Sequence, residues 1–152
     1  MAEFVQWSDA ISVGIQEIDE QHKRLVALLN ELFDVMVTDS PDRDSVARKT
    51  LEELFDYTAV HFAVEESLFR IFDYPGYEYH KQKHDLLKSE LAEISKRIQA
   101  GEKRIDSTLL IFMKNWITGH ITNEDKSYSP YLLQQGVKKS WAKKSWLDKF
   151  FG

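Results

Sequence analysis

Four segments of this chain repeat large apolar residues at three- and four-residue steps, and short breaks rich in Pro, Gly or polar residues separate them. That spacing gathers the apolar side chains into one stripe of an α-helix. The first segment, about 19–37, carries Leu25, Leu28, Leu29, Leu32, Phe33 and Met36, and Asp19 suits its N-cap. The second follows TDSPDRDS and runs to about 72, with Leu51, Leu54, Phe55, Thr58, Phe62, Leu68 and Phe69. Ser40 suits its cap and Pro41 its first helical position, and DYPGY closes it.

The third segment, about 77–100, carries Leu87, Leu91, Ile94 and Ile98 and meets Gly101, a frequent helix stop. The fourth begins at 106 or 107 and carries Leu110, Ile111, Met113, Trp116, Ile117 and Ile121, and Pro130 is expected to prevent simple continuation. No long strand-like alternation competes with these four. Short loops between long helices make successive helices antiparallel neighbours. The expected fold is all-α: an up-down-up-down antiparallel four-helix bundle with an N-terminal arm.

At 152 residues and 43% hydrophobic, the chain buries one sizeable core. Its net charge of −5 argues against general nucleic-acid binding, which needs a basic face. The absence of cysteine excludes disulfides, thiolate zinc sites and iron–sulfur clusters, and leaves imidazole and carboxylate as the strong metal ligands. MAEFVQWSDAISVG lacks the basic start and continuous apolar stretch of a secretory signal, and no apolar run approaches the roughly 20 residues of a membrane span. The expected location is the cytoplasm.

All five histidines fall into one ordered pattern: His22, then HFAVE (His61, Glu65), HKQKH (His80, His84) and HITNED (His120, Asp125). Residues four apart on a helix differ by about 40° in direction and about 6 Å in height, so His61 with Glu65, and His80 with His84, face one way. His120 and Asp125 are five apart, roughly 140° on an ideal helix. Either the carboxylate sits off the axis of the histidine, or the helix loosens locally near its end. Each fragment alone is also what a solvated helix face displays; together they place ligands on each of four helices and leave no histidine over.

The ordered signature H…HxxxE…HxxxH…HxxxxD resembles that of the hemerythrins, non-heme di-iron proteins, and within them the single-domain bacterial members. The resemblance covers about 7–130 and implies a bundle over 1–136. It implies two iron ions, oxo- or hydroxo-bridged, as cofactor. His80, His84 and His120 would saturate one iron, His22 and His61 would hold the other, and Glu65 and Asp125 would bridge them. The second iron would keep an open sixth position where dioxygen binds and from which it is released intact. The implied role is carriage, storage or delivery of dioxygen by a monomer, and not enzymatic turnover.

Such a carrier needs dry apolar walls. Leu25, Phe62, Trp116, Ile117 and Ile121 are large, apolar and close in sequence to the ligands, which makes them candidates for a dioxygen pocket as well as for core packing. Metal-binding imidazoles need an acceptor on the other ring nitrogen, for which Asp19, Asp56 and Glu124 are near enough in sequence. A ferritin-like oxidase expects two Glu-x-x-His motifs, and this chain has none; Asp19 and His22 form only an aspartate version, once. An enzyme acting on peroxide or nitric oxide needs a proton source, for which Glu66, Tyr57 and Tyr128 are candidates. An oxygen- or iron-sensing module is the remaining alternative.

After Gly136 the sequence becomes basic and aromatic, VKKSWAKKSWLDKFFG. The four-residue spacing of Val137–Trp141, Trp146–Phe150 and Leu147–Phe151 suggests a short amphipathic helix over 137–152. Such an extension suits docking on an anionic membrane surface or on an oxygen-consuming enzyme, or folding back on the bundle.

Overall fold

A computed structural model describes residues 4–137. Five α-helices follow one another, α1 (Gln16–Val37), α2 (Arg43–Ile71), α3 (Tyr77–Gln99), α4 (Ser107–Gly119) and α5 (Lys126–Gln134), and a π-helical segment, His120–Asp125, joins the last two. α4, the π segment and α5 together make the fourth rod of an antiparallel four-helix bundle; no strand occurs among the described residues. The expected apolar stripes form its core, with Leu25, Leu28, Leu29 and Leu32 of α1 meeting Leu51, Leu54, Phe62 and Phe69 of α2. Leu87 and Leu91 of α3 and Met113 and Ile117 of α4 close it.

Several boundaries differ from the sequence expectation. α1 starts at Gln16, so Asp19 lies inside its first turn, where its carboxylate accepts hydrogen bonds from Ser12 Oγ (2.5 Å) and Val13 N (2.8 Å). Asp19 therefore pins the incoming arm instead of capping the helix. α2 starts at Arg43, with Asp42 at the N-cap and Pro41 in the preceding turn, and the Ser40 hydroxyl donates to the Asp42 carboxylate. α4 does begin after Asp106, whose carboxylate accepts from Leu109 N at 3.0 Å. Ile111, expected on the buried stripe, is 52% exposed.

Pro130 does not end the fourth rod; it lies within α5. Proline removes one intrahelical donor, but Tyr128, Ser129 and Leu132 are buried on either side of it and hold the helix to the bundle. Ser129 Oγ donates to Val13 O, and Tyr131 Oη donates to Phe72 O (2.6 Å).

The arm is fastened along α1. Val5 is buried, its N–H donates to Asn30 Oδ1 at 2.8 Å and its carbonyl accepts from Asn30 Nδ2 at 2.9 Å. Phe4 stacks on Phe33 with ring centroids 4.7 Å apart. Gly14 takes a left-handed φ of +79° as the arm turns into α1, a conformation that favours glycine. No described helix is long and apolar enough to cross a membrane. The amphipathic helix expected over 137–152 lies, Val137 apart, outside the described residues.

Candidate metal centre

The bundle brings all seven expected ligand residues to one buried place, the most exposed being His120 at 7%. α1 supplies His22, α2 supplies His61 and Glu65, α3 supplies His80 and His84, and the π segment supplies His120 and Asp125. Their ligand atoms form two groups: Glu65, His80, His84, His120 and Asp125 in one, His22, His61, Glu65 and Asp125 in the other. Within each group these atoms lie within 4.8 Å of one another, and both carboxylates belong to both groups.

Asp125 is divided between the two. Its Oδ1 lies 2.9 Å from His120 Nε2 and 3.0 Å from His80 Nε2, whereas its Oδ2 lies 2.8 Å from His22 Nε2. Glu65 Oε1 lies 3.1 Å from His61 Nε2 and 3.3 Å from His84 Nε2. The π register is what aims Asp125, since i→i+5 winding returns residues five apart to one face.

Many of these atoms are close without being hydrogen-bonded. Both oxygens of Glu65, Asp125 Oδ2, His84 Nε2 and His120 Nε2 are buried and have no hydrogen-bond partner. An orphaned buried polar atom is costly, and several converging on one point are rare in a core. His22 Nε2 and His61 Nε2 also face one another at 3.0 Å. Lone pairs aimed at shared points, from nitrogen and carboxylate oxygen only, are what a pair of transition-metal cations satisfies, and imidazole with carboxylate suits iron. The residues present fit a two-metal centre.

Electrostatics give the same account. Burial disfavours the charged form of His61, but Glu65 and Asp125 outweigh it and push the imidazolium up to about 10. Burial and the Asp125 charge raise Glu65, yet His61 and His84 prevail and lower it to about 2. Asp125 is held well below the usual carboxylate range, against burial, by His120, His22 and His61. Both carboxylates are thus anionic and ready to face cations.

Two hydrogen bonds orient the imidazoles from behind. His61 Nδ1 pairs with Gln21 Oε1 at 2.6 Å, and His84 Nδ1 with Glu66 Oε2 at 2.9 Å. With Nε2 given to the metal, each Nδ1 carries the proton and donates. These acceptors replace the expected ones: Asp19 is engaged by Ser12 and Val13, and neither Asp56 nor Glu124 bonds a ligand histidine among the described residues. Gln21 and Glu66 are chain neighbours of His22 and Glu65, a signal available in the sequence but shared with any polar helix residue.

Aromatic packing covers the three-histidine side. Phe62 is fully buried and stacks on His84 at 3.8 Å between centroids, and Trp116 stacks on His120 at 4.7 Å. Leu25, Ile117 and Ile121 are buried in the core. Tyr128 is buried against His80, with ring centroids 5.6 Å apart, and its hydroxyl is pushed well above 10 by burial and by the charges of Glu65 and Asp125.

Fold and centre together define a histidine-rich, two-metal four-helix-bundle protein. The model of the hemerythrin HHE cation binding domain matches residues 13–132. A bacteriohemerythrin of Pseudomonas aeruginosa is 35% identical over 96% of this chain and 97% of its own length. One of Methylococcus capsulatus is 33% identical over 75% of this chain and 85% of its own. A crystal structure of wild-type hemerythrin superposes with a TM-score of 0.79 at 31% identity, covering 85% of this chain and 98% of that one. The chain belongs to the hemerythrin family, and with it to the di-iron proteins that bind dioxygen.

Proposed function

We propose that this protein carries dioxygen reversibly, and that the seven clustered residues are its iron ligands. His80, His84 and His120 would hold one iron and His22 and His61 the other, with Glu65 and Asp125 available to both. The observation that carries the reading is the unequal donor set: three imidazoles in one group, two in the other, with both carboxylates shared. Iron bound there would supply the electrons for reversible dioxygen binding, and the group with His22 and His61, one imidazole short of the other, would leave room for the gas.

The side chains around that centre protect it. Leu25, Ile117 and Ile121, with Phe62 and Trp116 behind the other histidines, exclude water and so slow proton delivery to reduced oxygen. Gln21 and Glu66 fix the imidazole planes. Of the groups that an enzymatic reading would use as acids, Glu66 accepts a hydrogen bond from His84, and burial with the charges of Glu65 and Asp125 makes Tyr128 a weak acid. These features favour a carrier over an enzyme acting on peroxide or nitric oxide.

A metal count with absorption spectra before air, after air and after evacuation tests the proposal. Two irons per chain and a colour that returns under vacuum are expected; one zinc per chain, or rapid irreversible oxidation, overturns it. The bundle of 1–136 acts as a monomer in the cytoplasm, and the basic aromatic extension 137–152 serves as contact to an oxygen-consuming enzyme or a membrane surface. If a version ending at Gly136 binds anionic vesicles and cell partners as the full chain does, the extension has no docking role.

A further inference from the structure

At the end of the bundle remote from Pro130, where α1 runs out and α4 begins, the four rods leave a cavity of about 450 Å³. It shares no residue with the metal centre. Its apolar lining is aliphatic: Met36 from α1, Ala47 from α2, Ile98 from α3 and Ile105 from the loop before α4, with Ala47 and Ile98 buried. Arg43, Arg48, Lys103 and Arg104 line the same cavity, together with the carboxylates of Asp44 and Asp106. A volume inside the roughly 300–1,000 Å³ range of ligand sites, with aliphatic residues beside charged ones that are cationic on balance, can hold a small molecule.

Two carboxylates against four cations leave this lining positive on balance. Arg43 pairs with Asp44 at 3.6 Å, and Asp106 is occupied as the cap of α4. Arg48, Lys103 and Arg104 have no ion-pair partner among the described residues, in a chain whose net charge is −5. The N-terminus of the 29-residue α2 opens here as well, and Asp42 at its N-cap makes no side-chain capping bond. Apart from Arg43 N–H, which donates to Ser40 O, the amide N–H groups of that first turn add to the positive field.

We propose that this cavity binds an aliphatic carboxylate, a medium-chain fatty-acid anion. The carboxylate meets Arg48 and Arg104, whose planar forks match it, and the alkyl chain lies on Met36, Ala47, Ile98 and Ile105. No aromatic residue lines the cavity, so a nucleotide or aromatic acid would find no stacking face. The inference is independent of how dioxygen is used at the centre.

Calorimetric titration of the iron-loaded full chain with decanoate tests it, alongside the exposed double variant Arg48→Gln/Arg104→Gln, with decanol and acetate as comparison ligands. Saturable binding of one decanoate per chain is expected, weakened about tenfold or more in the double variant. Decanol, lacking the charge, and acetate, lacking the chain, should each bind at least about tenfold more weakly than decanoate. The visible spectrum of the iron centre should be the same in both proteins, which establishes that the variant is folded. Absence of saturation by decanoate, equal affinity in the double variant, or acetate or decanol binding as tightly as decanoate each overturns the proposal.

Discussion

His120 Nε2 lies 2.9 Å from Asp125 Oδ1 although the two are five residues apart, a contact that an unbroken α-helix, turning them roughly 140° from one another, does not allow. The π segment between them resolves the conflict by adding one residue to the turn. That residue also sets the rotation of everything after it. Deleting the exposed Asn123 would restore α winding and rotate α5 by about 100°, turning Tyr128, Ser129 and Leu132 out of the core and breaking the bond from Ser129 to Val13 O. A loss of roughly 3 kcal/mol or more in urea unfolding is expected. An unchanged midpoint would show that the π turn does not set the packing of α5.

Glu66 holds His84 through Nδ1 at 2.9 Å and is itself buried. Glu66→Ala removes the acceptor and frees the ring to turn, so iron affinity should fall about 10–100-fold. Gln21→Ala should weaken the His61 side less, since a neutral acceptor makes a weaker bond than a carboxylate. Competition with a calibrated chelator measures both, and equal affinity of the Glu66 variant and the wild type would refute the role.

Metal loading should depend on pH through His61. Its pKa is raised to about 10, so the metal-free fold retains an imidazolium whose stabilisation is complete below the ordinary histidine range near 6.5 and is lost as pH rises through 10. A metal must displace that proton. Apparent affinity should therefore climb with pH between about 6.5 and 10, and loading at neutral pH should release protons into a weakly buffered solution. Glu65, lowered to about 2, contributes in the opposite sense only in acid: its stabilisation is present above its ordinary value and lost as pH falls through 2. Flat affinity across the alkaline window would contradict this account.

Phe62 has no solvent exposure and stacks on His84 at 3.8 Å. Phe62→Ala should cost about 3–5 kcal/mol of stability through the cavity left behind. It should also admit water beside the ligands and hasten loss of the oxygenated spectrum to the oxidised form. If that spectrum decays at the wild-type rate in a folded variant, the ring serves packing alone.

Much of this architecture was legible in the residues. The four apolar stripes located the rods because burial of a helix face requires a 3.6-residue period whatever the partner. The pairs His61 with Glu65 and His80 with His84 were legible for the same reason, since four-residue spacing shares a face in any α-helix. Ile111 misled because one apolar residue beside Leu110 satisfies the stripe equally well, and only the position of the neighbouring helices decides which faces in. Pro130 misled because the cost of one missing donor was judged without the burial of Tyr128, Ser129 and Leu132 that offsets it.

The sequence by itself determined which atoms are offered: five imidazoles and two carboxylates, no thiols, on four amphipathic rods joined by short loops. These are local properties, fixed by side-chain chemistry and helical period. Only the tertiary structure decided that the turn after His120 is a π turn, that the two oxygens of Asp125 face different histidines, and that Gln21 and Glu66 stand behind the rings. Each of these depends on the rotation and height of one helix against another, which packing of the whole core sets and no single segment encodes.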